Sequence, residues 1–130
     1  DQEDAVLASW VNQSSFEPPE ITVALAQIRS TRLLIEASQA FIVNILGKET
    51  NELMKHFFKS HDGSVFDGLK TRKGIDGIRI LSDAVAYLEC RLADGVVSGD
   101  HVVYFGEVVG GKMLKGGEPS VHIRDNGFNY

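Results

Sequence analysis

The stretch 84-AVAYLECRLA-93 decides the class of fold. Small and apolar residues alternate in it with larger polar ones, so that one face carries Ala86, Leu88, Cys90 and Leu92 and the other carries Tyr87, Glu89 and Arg91. A repeat of two residues is typical of a β-strand with one buried face. The stretch therefore predicts a strand over residues 84–93, in which the single cysteine, Cys90, is a small buried hydrophobe.

Five further apolar runs predict a β-rich domain, because glycine-rich turns separate them. They cover residues 6–11, 21–26, 41–46, 101–109 and 120–124. The run over residues 41–46 is apolar on both faces except at Asn44, which predicts a central strand covered on both sides. Asn44 then needs a buried hydrogen-bond partner, which the sequence leaves open between the backbone and a ligand. Near the C-terminus, Asp125-Asn126-Gly127 predicts a tight turn.

Two segments predict helices, over residues 31–38 and 50–59. In the second, apolar residues recur at spacings of three and four, the pattern of a helix that packs on a sheet: Leu53, Met54, Phe57 and Phe58. The glycine-rich stretch 62-DGSVFDGLKTRKGIDG-77 predicts a surface loop. Many strands with two short helices predict a small, mainly β barrel capped by helices. No linker or repeat divides the sequence, so residues 1–130 are expected to form one domain.

Charge and composition exclude several classes of partner. The chain has a formal net charge of -5 and a pI near 5.3, with no basic run, which argues against binding to nucleic acid or an anionic membrane surface. No apolar stretch is long enough to cross a bilayer and no leader is visible, so we expect a cytoplasmic protein. The acidic lead, residues 1–4, runs at once into a predicted strand, which suggests a piece of a longer protein.

The stretch 27-QIRSTRLL-34 is a candidate anion site. Ser30 or Thr31 is expected to cap the helix, and the first turn of a helix offers unpaired N–H groups to a phosphate. Arg29 adds a guanidinium that can bind phosphate oxygens with two hydrogen bonds. From these residues alone, a capped helix beside a solvated Arg29 is the simpler interpretation.

The stretch 8-ASWVNQSSFEPP-19 places polar side chains at a strand end. Ser9, Asn12, Gln13 and Ser14 supply hydrogen-bonding groups, and Trp10 supplies an aromatic wall. A flat ring such as the isoalloxazine of a flavin needs both. A strand that ends in a polar turn, with Trp10 in the core, explains the same residues.

The histidines do not form a metal site. His101 follows a Gly99-Asp100 turn, which would place its ring at a barrel mouth. His56 and His61 flank a helix end, and none of the spacings matches a known zinc motif. The sequence therefore predicts no metal.

Seven stretches, taken in order, resemble the flavin reductase-like domain, an FMN-binding split β-barrel. They are 8-ASWVNQSSFEPP-19, 29-RST-31, 41-FIVNIL-46, 53-LMKHFFK-59, 81-LSDAVAYLECRL-92, 98-SGDHVVYFGEV-108 and 119-PSVHIRDNGFNY-130. The resemblance is greatest to the domain at the C-terminus of cyanobacterial and plant-type flavodiiron proteins, the diflavin flavoproteins. Each stretch is weak alone, but seven in register make a specific match.

The resemblance implies an FMN site and a reaction. It implies an FMN ring against Ser9, Trp10, Val11, Asn12, Gln13 and Ser14, an FMN phosphate at Arg29, Ser30 and Thr31, and Asn44 near the flavin. His101 would lie where the nicotinamide of NAD(P)H arrives and would orient it. The implied function is that of an NAD(P)H:flavin oxidoreductase, which passes electrons to free flavin or to a diiron oxygen-reducing domain.

The resemblance also implies partners, and the sequence departs from the family pattern at one point. The family forms homodimers, and fused or separate diiron and flavodoxin-like domains are implied partners. The chloroplast stroma is the implied compartment in a photosynthetic eukaryote. The sequence lacks the strand that usually precedes Ala5, which predicts an open edge. A non-enzymatic FMN-binding electron relay and a dimerisation module are the alternative functions.

Overall fold

The computed structural model describes residues 2–49, 51–115 and 117–123. Within them the chain is mainly β, with two short helices, as the sequence predicts. The strands are β1 (Val11–Ser15), β2 (Glu20–Ala26), β3 (Ala40–Ile45), β4 (Thr71–Lys73), β5 (Arg79–Leu81), β6 (Ala86–Ser98) and β7 (His101–Met113). The helices are α1 (Thr31–Ser38) and α2 (Asn51–Phe58), and a short 3-10 turn covers Ile75–Gly77.

Five strands form one antiparallel sheet in the order β1-β2-β7-β6-β3, and β4 pairs with β5 in a separate ribbon. The long β6–β7 hairpin is the centre of the sheet. Its pairing runs from Ser98 opposite His101 to Ala86 opposite Met113. The remaining strands extend the sheet on either side of this hairpin, so β1 lies at one edge and β3 at the other.

The core lies on the face of the sheet that packs against α1. The alternation in the central strands produces it, because every second side chain of β2 and β7 points inward. Its buried members are Ile21, Val23, Leu25, Ile35, Phe41, Cys90, Val102 and Tyr104. Cys90 is fully buried, and burial raises the pKa of its thiol to about 12. Its expected role as a buried hydrophobe is confirmed.

Two predicted strands in the first half of the chain differ from the structure. The prediction over residues 6–11 is wrong for residues 6–10, which have no regular structure, and β1 begins at Val11. The apolar pattern there reflects packing, since Val6 lies against the core without strand pairing. The prediction that residues 41–46 form a central strand is also wrong, because β3 is an edge strand. Its second face is covered at Gly74, whose Cα lies close to the side chain of Ile42.

Two further predictions, a loop over residues 62–77 and a strand over residues 120–124, differ from the structure where residues distant in sequence come into contact. Residues 62–77 are not all loop, because they contain β4 and the 3-10 turn, which the Glu89 carboxylate anchors by accepting the N–H of Ile75 at 2.6 Å. Residues 120–123 form no strand, since regular pairing stops after a single bridge between Gly47 and Pro119. Arg124, the predicted turn at residues 125–127 and Thr50 lie outside the described residues.

The helices agree closely with the sequence. The predicted helix over residues 31–38 is α1, and the one over residues 50–59 is α2 with slightly shorter bounds. Neither helix, nor any other among the described residues, is long and apolar enough to span a membrane.

Candidate functional site

Trp10 and His101 lie together on the outer face of the sheet, opposite the core. We call the surface around them the Trp10–His101 face. Trp10 precedes β1, and its ring lies on that of His101 with the ring centres 4.6 Å apart. On this face β2 presents the small side chains of Ala24 and Ala26, which pair with Val103 and His101 of β7. Trp10 is 38% exposed, so the alternative of a tryptophan in the core is not what the structure adopts. A planar aromatic group fits against such a surface.

His101 is held in place from two sides. Its Nδ1 lies 2.7 Å from Oδ1 of Asp100, and this contact leaves Nε2 as the ring nitrogen that Asp100 does not engage. This hydrogen bond from His101 lowers the pKa of the Asp100 carboxyl. Gln27 braces the turn before the histidine, since its Nε2 donates to the Gly99 carbonyl at 2.7 Å and its N–H donates to the Asp100 carbonyl at 2.9 Å.

A second feature, the α1 cavity, lies at the start of α1 and has a volume of about 270 Å³. Its basic lining side chains are Arg29, Lys59 and His61, and its hydroxyls come from Ser30 and Thr31. Ser30 occupies the N-cap position, but its side chain makes no capping hydrogen bond. The hydroxyl of Thr31 donates instead to the carboxylate of Asp4 at 2.5 Å.

Glu3 also lines the α1 cavity, but its charge is already matched. Arg79 Nε donates to one carboxylate oxygen at 2.9 Å, and Ser64 Oγ donates to the other at 2.8 Å. These hydrogen bonds, the one from Arg79 first, lower the pKa of Glu3. The acidic segment therefore lies on one side of a cavity whose other lining side chains are basic, hydroxylic or, at Phe57 and Val65, apolar.

The two features are neighbours along the chain. Ala26 pairs with His101 at the end of β2, and Arg29 follows three positions later in the connection to α1. Arg32 of α1 donates from Nε to the Gln27 carbonyl at 2.8 Å, which ties the helix to the turn that holds His101. The α1 cavity and the Trp10–His101 face therefore flank one short connection.

Apart from Asn44, the sequence-predicted site residues separate into three groups. Arg29, Ser30 and Thr31 meet at the α1 cavity, and Trp10 meets His101. Ser9, Asn12, Gln13 and Ser14 are exposed beside Trp10, on or just before the edge strand β1, while Val11 is half-buried and packs on the core.

The structure does not bring Asn44 to the α1 cavity or to the Trp10–His101 face. It pairs with Tyr87, which pairs with Lys112 near the end of β7, whereas His101 begins that strand. Its Oδ1 accepts the N–H of Leu81 at 2.9 Å, so the backbone supplies a partner for this half-buried amide. A role for Asn44 beside a flavin finds no support in this placement.

Sequence reasoning missed the residues of the α1 cavity that come from other parts of the chain, among them Lys59, His61 and Asp4. Lys59 and His61 follow α2, and Asp4 comes from the N-terminal segment, so all are distant in sequence from residues 29–31. The basic residues of 53-LMKHFFK-59 were a signal, because a cation just after a helix can reach a neighbouring anion site. Among the residues the structure describes, no group of three or more His, Cys, Asp or Glu side chains is arranged to hold a metal ion.

The family model for the flavin reductase like domain matches residues 1–129. This chain is a flavin reductase-like domain. The diflavin flavoprotein A 1 of Synechocystis sp. is 41% identical to the domain over 130 residues, which cover 97% of this chain and 23% of that relative. The chain thus spans about a quarter of the length of the curated relatives it matches.

Solved structures agree with this assignment. The flavin reductase HpaC complexed with NADP+ is 28% identical with a TM-score of 0.75, over 85% of this domain and 70% of that chain. An FMN-binding protein from Thermus thermophilus with bound 1-cyclohex-2-enone is 26% identical with a TM-score of 0.75, over 85% and 63% of the two chains. The predicted family, the mainly β fold and the resemblance to diflavin flavoproteins are confirmed.

Proposed function

We propose that this flavin reductase-like domain binds FMN and acts as an NAD(P)H:flavin oxidoreductase. One observation carries the proposal: a cavity with basic and hydroxyl side chains lies beside a smooth aromatic face, and one short connection joins them. A flavin mononucleotide has the matching two parts, an anionic phosphate and a planar ring. The relatives' names, which include a flavin reductase and an FMN-binding protein, support the same cofactor.

The α1 cavity fits the phosphate end of FMN. Arg29 and Lys59 offer charge-assisted hydrogen bonds to phosphate oxygens, and Thr31 adds a hydroxyl at the start of a helix. Pockets that enclose a whole drug-sized ligand measure about 300–1,000 Å³, so a volume near 270 Å³ suits part of a nucleotide. The ring would then lie outside the cavity.

The Trp10–His101 face fits the ring. Ala24 and Ala26 give it a flat floor, and the polar side chains of Asn12 and Gln13 stand exposed at the neighbouring edge. The chemistry that FMN supplies when bound is acceptance of a hydride from NAD(P)H and delivery of the electrons to an acceptor.

The side chains of the domain then have positioning roles. Asp100 and Trp10 orient His101, and its Nε2 would hold the carboxamide of a nicotinamide by one hydrogen bond. Arg29 and Thr31 hold the phosphate, and the sheet excludes water from one side of the ring. None of these roles requires a side chain to remove a proton.

The partners belong to the same proposal. The longer relatives are named diflavin flavoproteins, which supports electron transfer to diiron and flavodoxin-like domains of the same or another chain. A homodimer is also proposed, with the flavin near the interface. Among the described residues β1 is an edge strand with exposed Asn12, Gln13 and Ser14, and an edge strand can pair with a second chain.

Visible absorption tests the function. The protein is mixed with FMN, desalted, and then given NADH or NADPH without oxygen. We expect a retained flavin band that bleaches. A retained band that does not bleach would favour the electron-relay alternative, and the absence of any band would favour the dimerisation module.

A pair of arginine variants locates the phosphate. Loss of a charge-assisted hydrogen bond, worth about 1.5–3 kcal/mol, should weaken FMN binding about 10-fold or more in Arg29→Ala. Arg72→Ala is the matched control, because Arg72 is exposed on β4 and does not line the α1 cavity. Equal affinity of the two variants for FMN would contradict the assignment of the phosphate to this cavity.

A further inference from the structure

The carboxylate of Asp4 lies where the proposed phosphate would make one of its hydrogen bonds. It accepts the Thr31 hydroxyl at 2.5 Å across a separation of 27 residues. The first turn of α1 contains no acidic residue, and Ser30 makes no side-chain cap. Asp4 therefore supplies the negative charge that a helix start favours, which is the same interaction that a phosphate would make there.

Charges of both signs line the α1 cavity. Two lysine or arginine side chains, Arg29 and Lys59, line it together with two carboxylates, those of Glu3 and Asp4. Glu3 is paired with Arg79 at 2.9 Å, whereas the structure gives Asp4 a neutral hydroxyl as its partner. A phosphate monoester brings a charge between about -1.5 and -2. Repulsion between this phosphate and Asp4 would be strongest while the carboxylate remains on Thr31.

We propose that Asp4 is an internal competitor of the flavin phosphate, whose carboxylate must leave the Thr31 hydroxyl before a phosphate binds there. The inference rests on the proposed function and adds a regulatory contact to it. Because Asp4 is exposed and lies in an irregular segment, it can move without breaking the sheet.

The test compares Asp4→Asn with the unchanged protein for two ligands. The asparagine keeps a hydrogen-bond acceptor for Thr31 but removes the charge. We expect FMN to bind about 3- to 10-fold more tightly to Asp4→Asn, with riboflavin affinity unchanged because riboflavin has no phosphate. Asp4→Glu, which restores the charge, should return FMN affinity towards that of the unchanged protein.

Glu107→Gln is the matched control. It removes one negative charge from an exposed position on β7 that does not line the α1 cavity. Its FMN affinity should stay within about 2-fold of the unchanged protein. Equal tightening in Glu107→Gln and Asp4→Asn would overturn the inference, as would equal tightening for FMN and riboflavin or weaker FMN binding in Asp4→Asn.

Failure of the proposed function has a different signature. If no variant retains FMN, that function is wrong, but inorganic phosphate still tests Asp4. Phosphorus NMR line broadening measures phosphate binding directly, and stronger binding to Asp4→Asn than to Glu107→Gln would support the competition. Equal phosphate binding to the two variants would overturn it.

Discussion

The two faces of β7 differ in what they require of their residues. On the inner face, Val102, Tyr104 and Gly106 are buried, and Tyr104 is 1% exposed. On the outer face, His101 and its neighbour Val103 are half-buried and lie across from two alanines of β2. The inner face is tightly packed and closed to solvent. The outer face is a surface of small side chains with an aromatic pair at one end.

This difference separates stability from binding within one strand. Changes on the inner face should alter the free energy of unfolding and leave ligand chemistry alone where the fold survives. Changes on the outer face should alter binding or turnover with little loss of stability. Four predictions test this separation, in order of decreasing expected effect.

The largest effect is expected for the reactivity of Cys90. Its thiol is fully buried with a pKa raised to about 12, so alkylation should require unfolding and run at least about 1,000-fold slower than in denatured protein. The rate of iodoacetamide labelling measures this. An added thiol in Val109→Cys, at a position 51% exposed on the neighbouring strand β7, should label rapidly. Rapid labelling of Cys90 in the folded protein would show that the inner face is not closed.

The second prediction concerns Gly106. A Cβ there would lie 2.5 Å from Cζ of Phe41 and 3.1 Å from Cβ of Cys90, so Gly106→Ala must displace core atoms. We expect a loss of about 1–3 kcal/mol in the free energy of unfolding, measured by urea denaturation.

Gly110→Ala, on the same strand, is the control for Gly106→Ala. The new Cβ would meet Oε1 of Glu89 at 2.6 Å, at the end of a side chain and not in the packed core, and moving it would weaken the hydrogen bond from Ile75. The loss should therefore be about 1 kcal/mol, the value of one hydrogen bond. Similar losses for the two variants would mean that the inner face is no more restrictive than the rest of β7.

The third prediction moves to the outer face, at His101. His101→Gln should lower kcat/KM for NAD(P)H about 5- to 10-fold, through KM, because it removes one net hydrogen bond of about 1–1.5 kcal/mol to the nicotinamide. Steady-state kinetics with saturating FMN measure it, while the urea midpoint should barely change. A loss confined to kcat would assign His101 to the chemical step instead of to orientation.

The smallest effect is expected at Asp100, whose side chain is 96% exposed. The hydrogen bond from His101 lowers its pKa below the usual 3.8, so the folded state favours the ionised carboxylate. Its contribution to stability is therefore present above pH 3.8 and is lost as the pH falls through the lowered value. The melting temperatures of the unchanged protein and Asp100→Asn should differ slightly at neutral pH and converge in acid. A difference that grows in acid would contradict the sign of the shift.

Local patterns predicted the fold well where structure depends on neighbours in sequence. The helix over residues 31–38 matches α1, and the alternation around Cys90 identifies β6. The sequence understated the length of β6, because residues 94–98 lack an apolar repeat and pair with β7 all the same. For residues 6–10 the error was the opposite, because the sequence predicted a strand where the structure has none. Apolar residues that pack on the core without strand pairing show the same pattern as a strand.

The candidate site was predictable only in part for the same reason. Arg29, Ser30 and Thr31 are adjacent in sequence, and they line one cavity. Lys59, His61 and Asp4 reach that cavity from other parts of the chain. The pattern of a single sequence does not show which residues distant in sequence lie close in space. The partner of Asn44 was left open by the sequence, and the structure supplies the backbone of Leu81.

The central claim is that a flavin ring lies on the Trp10–His101 face while its phosphate occupies the α1 cavity. Trp10 is the single tryptophan of the chain, so its fluorescence reports on this face alone. A bound flavin ring in contact with Trp10 would quench that emission by energy transfer. Titration with FMN should therefore quench Trp10 emission in proportion to bound flavin and level off at equimolar FMN. Emission that stays unchanged while the desalted protein retains FMN would contradict the account.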